Sequence, residues 1–166
     1  MNRLRQNKHI RDWIGQAKLD AGSFILPYFV VEGKNIKEPI KSMPGVYHLS
    51  ADNVLKDIEQ AKSIKAVLLF GIPDSKDDKA KNAYKKDGIV QKATKEIKKR
   101  FKDLIVITDV CLCGYTTHGH CGVITKTKII DSGKTLKILS KIALSHAEAG
   151  TDFVAPSAMA DGQVKA

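Results

Sequence analysis

Four short apolar runs, separated by longer segments of mixed polarity, organise the chain. The runs are rich in β-branched residues and do not alternate with polar ones, which is typical of strands buried on both faces of a parallel sheet. Pro27, inside the first run, cannot donate a ladder hydrogen bond, so we expect an irregularity or a sheet edge there. The pattern predicts four strands, at 24–31, 66–70, 104–108 and 153–155.

The segments between these strands carry apolar residues at the three- and four-residue spacing of amphipathic helices. Ser50 is suited to cap the first helix, and Gly150 is suited to end the last one. In the last helix the predicted inner stripe is Leu136, Leu139, Ala143 and Ala147. The pattern predicts helices near 51–62, 89–101 and 134–148, with loops at 33–45 and 74–88.

The resulting order, β-α-β-α-β-α-β, indicates a parallel sheet whose strands are joined by helical crossovers. It fits either an open doubly wound sheet or part of a (β/α)₈ barrel, which takes roughly 250 residues. No glycine-rich dinucleotide fingerprint follows the first strand, which weakens the first option. In both architectures the breaks at Gly71, Asp109 and Pro156 share the face where such folds do chemistry.

The first 20 residues form a basic arm that precedes the first strand. Its apolar positions are spaced loosely like those of a helix and have no partner nearby in sequence. We therefore expect the arm to pack on another subunit or across the closed end of a barrel. The remaining length fits roughly one domain. We predict an arm at 1–20, with apolar positions Leu4, Ile10, Trp13, Ile14 and Ala17, and a partial barrel domain at 21–166.

The formal net charge of +10 suggests nucleic-acid binding, but acidic residues interleave with the lysines and no aromatic platform accompanies them. We predict a solvated basic surface without a nucleic-acid partner, compatible with an anionic small molecule. The longest apolar run, 24–31, is far shorter than the ~20 residues of a membrane span. The basic N-terminus lacks an apolar signal segment, and three cysteines in one loop argue against a disulfide framework. These features predict a soluble, cytoplasmic protein without a membrane partner.

All three cysteines lie in one glycine-punctuated segment directly after the third strand. Cys111 and Cys113 are two residues apart, so in an extended backbone their sulfurs point to the same side. The glycines of the segment allow the chain to turn back and bring Cys121 alongside. Thiolate and imidazole donors this close together suit Zn²⁺. The fourth position of a tetrahedron would then fall to water, a substrate, His118 or His120.

Four interpretations of this segment stay open. The cysteines could form a zinc site with an exchangeable position, a closed structural zinc site, a redox-sensing thiol group, or small buried hydrophobes at a strand end. Asp109 could orient a histidine or a substrate amine, or could close the strand as a solvated carboxylate. Ser157 lies on the same face, with no histidine–acid pair placed in sequence to activate it as a nucleophile. Isolated histidines, expected at the surface or in packing, are His9, His48 and His146.

Several segments of the chain resemble porphobilinogen synthase, also called 5-aminolevulinate dehydratase, of tetrapyrrole and haem biosynthesis. The most specific is Asp109-Val-Cys-Leu-Cys113 with His118-Gly-His-Cys-Gly122, which is similar to the metal loop of the zinc-dependent form of that family. The resemblance runs along essentially the whole chain. It also includes Phe24-Ile-Leu-Pro-Tyr-Phe-Val-Val31, Ser42-Met-Pro-Gly-Val46, Leu68-Leu-Phe-Gly-Ile-Pro73, Ala147-Glu-Ala-Gly150 and Ala155-Pro-Ser157.

The resemblance implies a (β/α)₈ barrel, of which this chain carries about the first four β/α units. It implies homo-oligomers, octameric in the family, with N-terminal arms that grip neighbours. It also implies the condensation of two 5-aminolevulinate molecules to porphobilinogen with loss of water. Carried over by position, Cys111, Cys113 and Cys121 would hold the catalytic Zn²⁺, with His120 as a possible fourth ligand or hydrogen-bond partner.

The same resemblance places Asp109 and Ser157 in the active site. The family pattern P-S-D-M-M-D-G departs here at Ala158, which replaces an acid, and at Ala160, which replaces a methionine. We expect the loss of that carboxylate to weaken the orientation of a substrate or a local hydrogen bond.

The two Schiff-base lysines of the family have no counterpart in residues 1–166, and Lys165 matches neither of them. A lysine imine is the electron sink that activates a carbonyl substrate, whereas zinc alone polarises and positions it. We therefore expect residues 1–166 by themselves to lack synthase activity and to be poorly stable as a monomer. The alternative function is a non-catalytic zinc-binding half-barrel that acts through subunit association.

Overall fold

Helices and strands alternate along most of the chain. The computed structural model describes residues 3–15 and 19–166. The regular elements of that part, in chain order, are α1 (Lys8–Ile14), β1 (Ile25–Val31), β2 (Lys37–Pro39), β3 (Tyr47–Ser50), α2 (Ala51–Gln60), β4 (Ala66–Ile72), α3 (Ile89–Arg100), β5 (Ile105–Val110), α4 (Ser132–Ala149) and β6 (Phe153–Pro156).

The strands in the described part of the chain form one sheet in the order β2-β3-β1-β4-β5-β6. β2 and β3 are antiparallel, and every other neighbouring pair is parallel. Helix α2 connects β3 to β4, α3 connects β4 to β5, and α4 connects β5 to β6. The predicted parallel sheet with helical crossovers is confirmed. The carboxyl ends of β1, β4, β5 and β6 therefore meet at one edge.

The predicted loop at 33–45 is wrong in part, because Lys37–Pro39 forms β2, whose three residues pair with residues 47–49 of β3. β2 is exposed throughout and β3 is only four residues long, so neither gives a period-2 signal. β3 pairs with β1, and β2 pairs with β3. β3 pairs with β1 only from Phe29 onward, whereas β4 pairs with its whole length. Pro27 thus lies where β1 has a strand neighbour on one side only among the described residues, as expected for a proline.

Three strands extend further than the apolar runs predict. β4 continues to Ile72, β5 to Val110 and β6 to Pro156. Asp109 therefore lies inside β5, opposite Ala155 of β6, and does not close the strand. Ladder hydrogen bonds join backbone groups, so a polar side chain near a strand end does not stop the pairing.

The ends of the helices lie close to the predicted positions. Asp131 caps α4, because its carboxylate accepts a hydrogen bond from the Lys134 N–H at 2.9 Å. Gly150 ends the same helix in the left-handed region at φ 98°. Ser50 precedes α2, but its hydroxyl makes no cap hydrogen bond and accepts from the Ile36 N–H at 2.8 Å instead. The predicted cap role of that side chain is therefore wrong.

The predicted apolar stripe of α4 is rotated away from the face that the structure buries. Ala147 is exposed, and Leu136 and Ala143 are half-buried. Because α4 packs against α3 as well as against β5 and β6, it buries a wider face than a single stripe. The buried positions of α4 are Thr135, Leu139, Ile142, His146 and Ala149.

One hydrophobic core lies between the sheet and helices α2 and α3. Val30, Val67 and Val106, from three neighbouring strands, are completely buried in it. The opposite face of the sheet carries exposed apolar residues such as Ile25 and Ile105. The expectation that the strands are buried on both faces is therefore wrong for the described residues. In β5 this alternation places Asp109 on the second, more open face.

Within the described residues, the N-terminal arm contains a 3-10 helix at Arg3–Arg5 and the short α-helix α1. Trp13 is 87% exposed and Leu4 is 61% exposed, whereas Ala17 lies outside the described residues. The division into an arm at 1–20 and a barrel domain at 21–166 stays a prediction. Among the described helices, none combines the length and the apolar character needed to cross a membrane.

Candidate metal centre

The three cysteine sulfurs come together just beyond the carboxyl end of β5. The Sγ atoms of Cys111 and Cys113 lie 3.4 Å apart, and those of Cys111, Cys113 and Cys121 all lie within 4.8 Å of one another. All three thiols are free; Cys111 is buried and the other two are half-buried. A tetrahedral zinc with Zn–S bonds of about 2.3 Å places its sulfurs about 3.8 Å apart. The arrangement therefore fits such an ion.

A tight turn reverses the chain within residues 111–121, called the metal loop below. The N–H groups of Tyr115 and Thr116 both donate to the carbonyl of Leu112, at 2.9 and 3.0 Å. The Thr116 hydroxyl donates to the carbonyl of His120 at 3.1 Å, which ties the two ends of the turn together. These bonds return the chain so that the third cysteine faces the first two.

The start of α4 holds the segment that follows the third cysteine. The Val123 N–H donates to Thr135 Oγ1 at 2.9 Å, and the same hydroxyl donates to the carbonyl of Asp131 at 2.7 Å. Gly122 is packed against this contact, since a Cβ there would lie 2.6 Å from Ile130 Cγ2 and 3.0 Å from Thr135 Oγ1. The third cysteine is thus positioned by the first turn of α4.

Burial raises the pKa of all three thiols above the ordinary value for cysteine. Without a cation, the thiols therefore stay protonated at neutral pH. A metal ion has to displace these protons to bind thiolate, so its apparent affinity rises with pH. A close group of thiolates repels itself and is stabilised by a divalent cation.

The two histidines of the metal loop lie beside each other, with ring centroids 5.5 Å apart. The His120 N–H donates to Nδ1 of His118 at 3.1 Å, so the proton of a neutral His118 ring sits on Nε2. His120 is exposed, and the group of ligand atoms within 4.8 Å contains neither histidine. The structure therefore gathers three of the predicted ligands, and a fourth-ligand role for His120 stays a prediction.

Asp109 and Ser157 meet at the ends of the neighbouring strands β5 and β6. Ser157 Oγ donates a hydrogen bond to Asp109 Oδ1. Burial raises the pKa of Asp109, and the bond from Ser157 works in the opposite direction. Burial contributes most to the raised pKa of Cys113 and Cys121, and the neighbouring thiols add to it. The charge of Asp109 raises both pKa values further, by the smallest amount. The carboxylate therefore lies within electrostatic range of the sulfurs.

Two features of the site are not singled out by the sequence motif: Tyr115, inside the metal loop, and the loop at 74–88, which contacts it. Tyr115 is 6% exposed, and its carbonyl accepts from the Asp77 N–H at 3.2 Å. The Thr117 hydroxyl donates to the carboxylate of Asp78. The loop is longer than most connections in compact domains, and that length is the signal available in the sequence.

Ala158 and Ala160, which depart from the family pattern, pack into the apolar cluster that contains Cys111. Ala158 is 5% exposed, and Ala160 is half-buried. A carboxylate at position 158 would be buried and would need hydrogen-bond partners of its own. Alanine suits the apolar packing here, and its effect on substrate orientation stays a prediction.

Comparison with known proteins places the chain among enzymes of one description. A family model described as delta-aminolevulinic acid dehydratase matches residues 1–166. The chain is 49% identical to the delta-aminolevulinic acid dehydratase of Ruminiclostridium josui, covering 99% of this chain and 80% of that relative. It is 51% identical to that of Methanothermus sociabilis, covering 100% of this chain and 52% of that relative. The corresponding Helicobacter pylori protein is 50% identical, with coverages of 99% and 51%. The chain thus spans about half the length of the last two relatives.

A solved structure shares the fold of the described chain. It is the crystal structure of delta-aminolevulinic acid dehydratase (porphobilinogen synthase) from Toxoplasma gondii ME49 in complex with the reaction product porphobilinogen. The TM-score is 0.91 at 36% sequence identity, and the match covers 98% of this chain and 47% of that chain. The predicted fold class, part of a (β/α)₈ barrel, is confirmed by this match.

Proposed function

Because the chain belongs to the delta-aminolevulinic acid dehydratase family, we propose that it carries the metal site of a porphobilinogen synthase. This enzyme condenses two molecules of 5-aminolevulinate to porphobilinogen with loss of water. The observation that carries the proposal is the set of three free cysteine sulfurs within 4.8 Å of one another beyond β5. The Toxoplasma gondii relative was solved with porphobilinogen bound, which supports the same product here.

Zn²⁺ is the metal in this proposal. Three thiolates are soft ligands that select zinc over magnesium or calcium, and three protein ligands leave one tetrahedral position for water or substrate. Zinc in this position would supply polarisation of a substrate oxygen or nitrogen. Cys113 and Cys121 are half-buried while Cys111 is buried, so a small molecule has access to the sulfur group from one side.

Asp109 is the proposed acceptor for the amino group of a substrate. Ser157 donates to one carboxylate oxygen, so the orientation of the acid is set before a substrate arrives. Burial favours the protonated acid, and pairing with an ammonium group favours the carboxylate. In this role Ser157 orients Asp109 and does not act as a nucleophile.

We expect a homo-oligomer, as the family resemblance implies, and a cytoplasmic location, as three cysteines confined to one loop suggest. By the family resemblance, the Schiff-base lysines have no counterpart in residues 1–166, so we expect these residues to bind 5-aminolevulinate at the metal without converting it. Family membership does not favour the alternative of a non-catalytic half-barrel.

A cobalt(II) titration of the purified 166-residue chain tests the proposal, because cobalt replaces zinc and its absorption bands report its ligands. We expect one equivalent to bind with thiolate-to-cobalt absorption. Addition of 5-aminolevulinate should then change the d–d bands, since the substrate enters the open position.

Two other outcomes would count against the proposal. A closed site with three cysteines and one histidine, as in the non-catalytic alternative, would bind cobalt with bands that 5-aminolevulinate leaves unchanged. Absence of any thiolate-to-cobalt absorption would refute the metal site itself.

A further inference from the structure

Gly71, near the end of β4, stands where no larger residue fits. A Cβ atom at Gly71 would lie 2.0 Å from Tyr115 Oη, 2.8 Å from Val90 Cγ2 and 3.0 Å from Ile89 Cγ2. The tyrosine oxygen therefore occupies nearly the place that a side chain at this position would take. Gly71 does not have a positive φ, so this glycine is required by space and not by backbone conformation.

The metal loop rests on this spot through a second contact. A Cβ at Gly114 would lie 3.3 Å from the carbonyl oxygen of Gly71, so the backbone of the loop also approaches β4 closely. Tyr115 is buried, and its backbone N–H closes the turn on Leu112 at 2.9 Å. Its carbonyl accepts from Asp77 at 3.2 Å. Ring, hydroxyl and backbone of this one residue thus fix the turn between the second and third cysteines.

We propose that Tyr115, seated on Gly71, is a positioning residue that sets the separation of the three ligand sulfurs. Cys111 follows directly after β5, so the sheet fixes the position of its sulfur. Cys113 and Cys121 lie on opposite sides of the turn that Tyr115 holds against β4. A shift of that turn would move these two sulfurs relative to the first one. The inference rests on the proposed function, because it assigns Tyr115 a role toward the metal.

The steric contact can be tested by filling the space and then emptying it again. We expect Gly71→Ala to lower the cobalt(II) affinity of the 166-residue chain about 10-fold or more and to change its thiolate-to-cobalt absorption, as for other residues that orient metal ligands. The double variant Gly71→Ala with Tyr115→Phe should recover part of that affinity, because the overlapping oxygen is gone. Recovery should be incomplete, since Val90 and Ile89 still crowd the new methyl group.

A glycine with free space serves as the matched control. The nearest atom to a Cβ at Gly133 is Asp131 Oδ1 at 3.7 Å, so Gly133→Ala should bind cobalt like the original chain. If Gly71→Ala does not fold, Tyr115→Phe and Tyr115→Leu alone carry the test. The leucine variant, which removes the aromatic ring that packs on Gly71, should then lose more cobalt affinity than the phenylalanine variant.

The outcomes separate this inference from the proposed function. If the original chain binds no cobalt, the metal site itself is refuted and Tyr115 has nothing to position. If the original chain binds cobalt while Gly71→Ala or Tyr115→Leu lowers only the melting temperature, with affinity and absorption unchanged, the contact is packing and the inference is overturned. Loss of affinity with partial recovery in the double variant supports it.

Discussion

Cys111 is the most deeply placed of the three proposed ligands, because it follows the last residue of β5 and is 5% exposed. Cys113 and Cys121 reach the same point through a turn that hydrogen bonds to Leu112 and His120 hold closed. At the scale of single residues, the sheet therefore sets the position of one sulfur, and a loop sets the positions of the other two. The loop sulfurs are the ones whose position depends on the surrounding contacts.

Substitution of one loop cysteine tests the ligand set. Cys113→Ser replaces a soft thiolate by a hydroxyl, and we expect the zinc affinity to fall by about 100-fold or more, beyond the 10–100-fold typical of an outer hydrogen-bond partner. His120→Gln is the comparison, because His120 is exposed and outside the sulfur group. A competition titration with a metal-binding dye measures both. Equal losses for the two variants would contradict a site built on three sulfurs.

Asp109→Asn tests the proposed acceptor without removing a sulfur. We expect cobalt binding to remain, while the concentration of 5-aminolevulinate needed to change the cobalt bands rises about 10-fold, because a neutral amide pairs weakly with an ammonium group. Asp103→Asn, an exposed acid just before β5, is the matched control. An unchanged response to 5-aminolevulinate in the Asp109 variant would exclude Asp109 as the acceptor.

The sequence identifies the residues with distinctive chemistry and misses those that act by shape. The spacing of the three cysteines predicts their convergence, because extended backbone and glycine turns leave them few alternatives. Tyr115 is not predictable in the same way, since a buried tyrosine is an ordinary core residue. Gly71 is conspicuous only once the oxygen that fills its side-chain space is known.

Helix α4 supports the metal loop at the scale of elements. Thr135, in its first turn, links the Val123 N–H to the carbonyl of Asp131 through one hydroxyl. Thr135→Val keeps the shape but leaves the Val123 N–H, in a residue only 9% exposed, without its partner. We expect a loss of about 1–3 kcal/mol in the free energy of unfolding.

Urea unfolding of the metal-free chain measures this loss. Thr127→Val, in the exposed part of the same connection, is the control and should change stability by less than about 0.5 kcal/mol. The account of how α4 holds the loop fails if both variants unfold at the same urea concentration.

His146, in α4, makes the free energy of unfolding of the chain depend on pH. It is 1% exposed, neither ring nitrogen has a partner among the described residues, and burial lowers its pKa to about 4. The unfolded chain has an ordinary histidine pKa of about 6.5 and takes up the proton first. The folded state is therefore fully favoured above that value, and about 3 kcal/mol is lost as pH falls from 6.5 to 4.

Unfolding measured at several pH values checks this dependence. His146→Leu cannot take up a proton, so its stability should fall less than that of the original chain over this interval. His9→Gln, at an exposed position, should follow the original profile. Parallel profiles for all three proteins would show that His146 is not responsible.

The elements themselves were predictable where a periodic signal exists. Long apolar strands and amphipathic helices gave correct positions within a few residues, because burial against neighbours requires that pattern. β2 and β3 lack it, since they have only three and four residues and are held by pairing, β3 with β1 and β2 with β3. The buried face of α4 differs from the predicted stripe because the helix packs against both α3 and the sheet. The spacing of apolar residues along the chain does not show which neighbours a helix has.

At the scale of the whole molecule, the sheet has one packed face and one open face. Ile25 and Phe153 are 51% and 60% exposed on strands that were expected to be buried on both sides. In a (β/α)₈ barrel the second face is the interior, filled by layers of side chains from all strands. The match covers 47% of the Toxoplasma gondii structure, so the described residues correspond to part of a barrel. Their strands carry the apolar residues that a barrel buries on both faces, but here the second face is open.

The zinc K-edge X-ray absorption spectrum of the purified protein, with and without 5-aminolevulinate, tests the central claim most directly. We predict three sulfur atoms at about 2.3 Å and one nitrogen or oxygen at about 2.0 Å from zinc. Only the lighter atom should change when 5-aminolevulinate is added. A spectrum without sulfur, or one with four protein ligands that 5-aminolevulinate does not alter, would contradict the account.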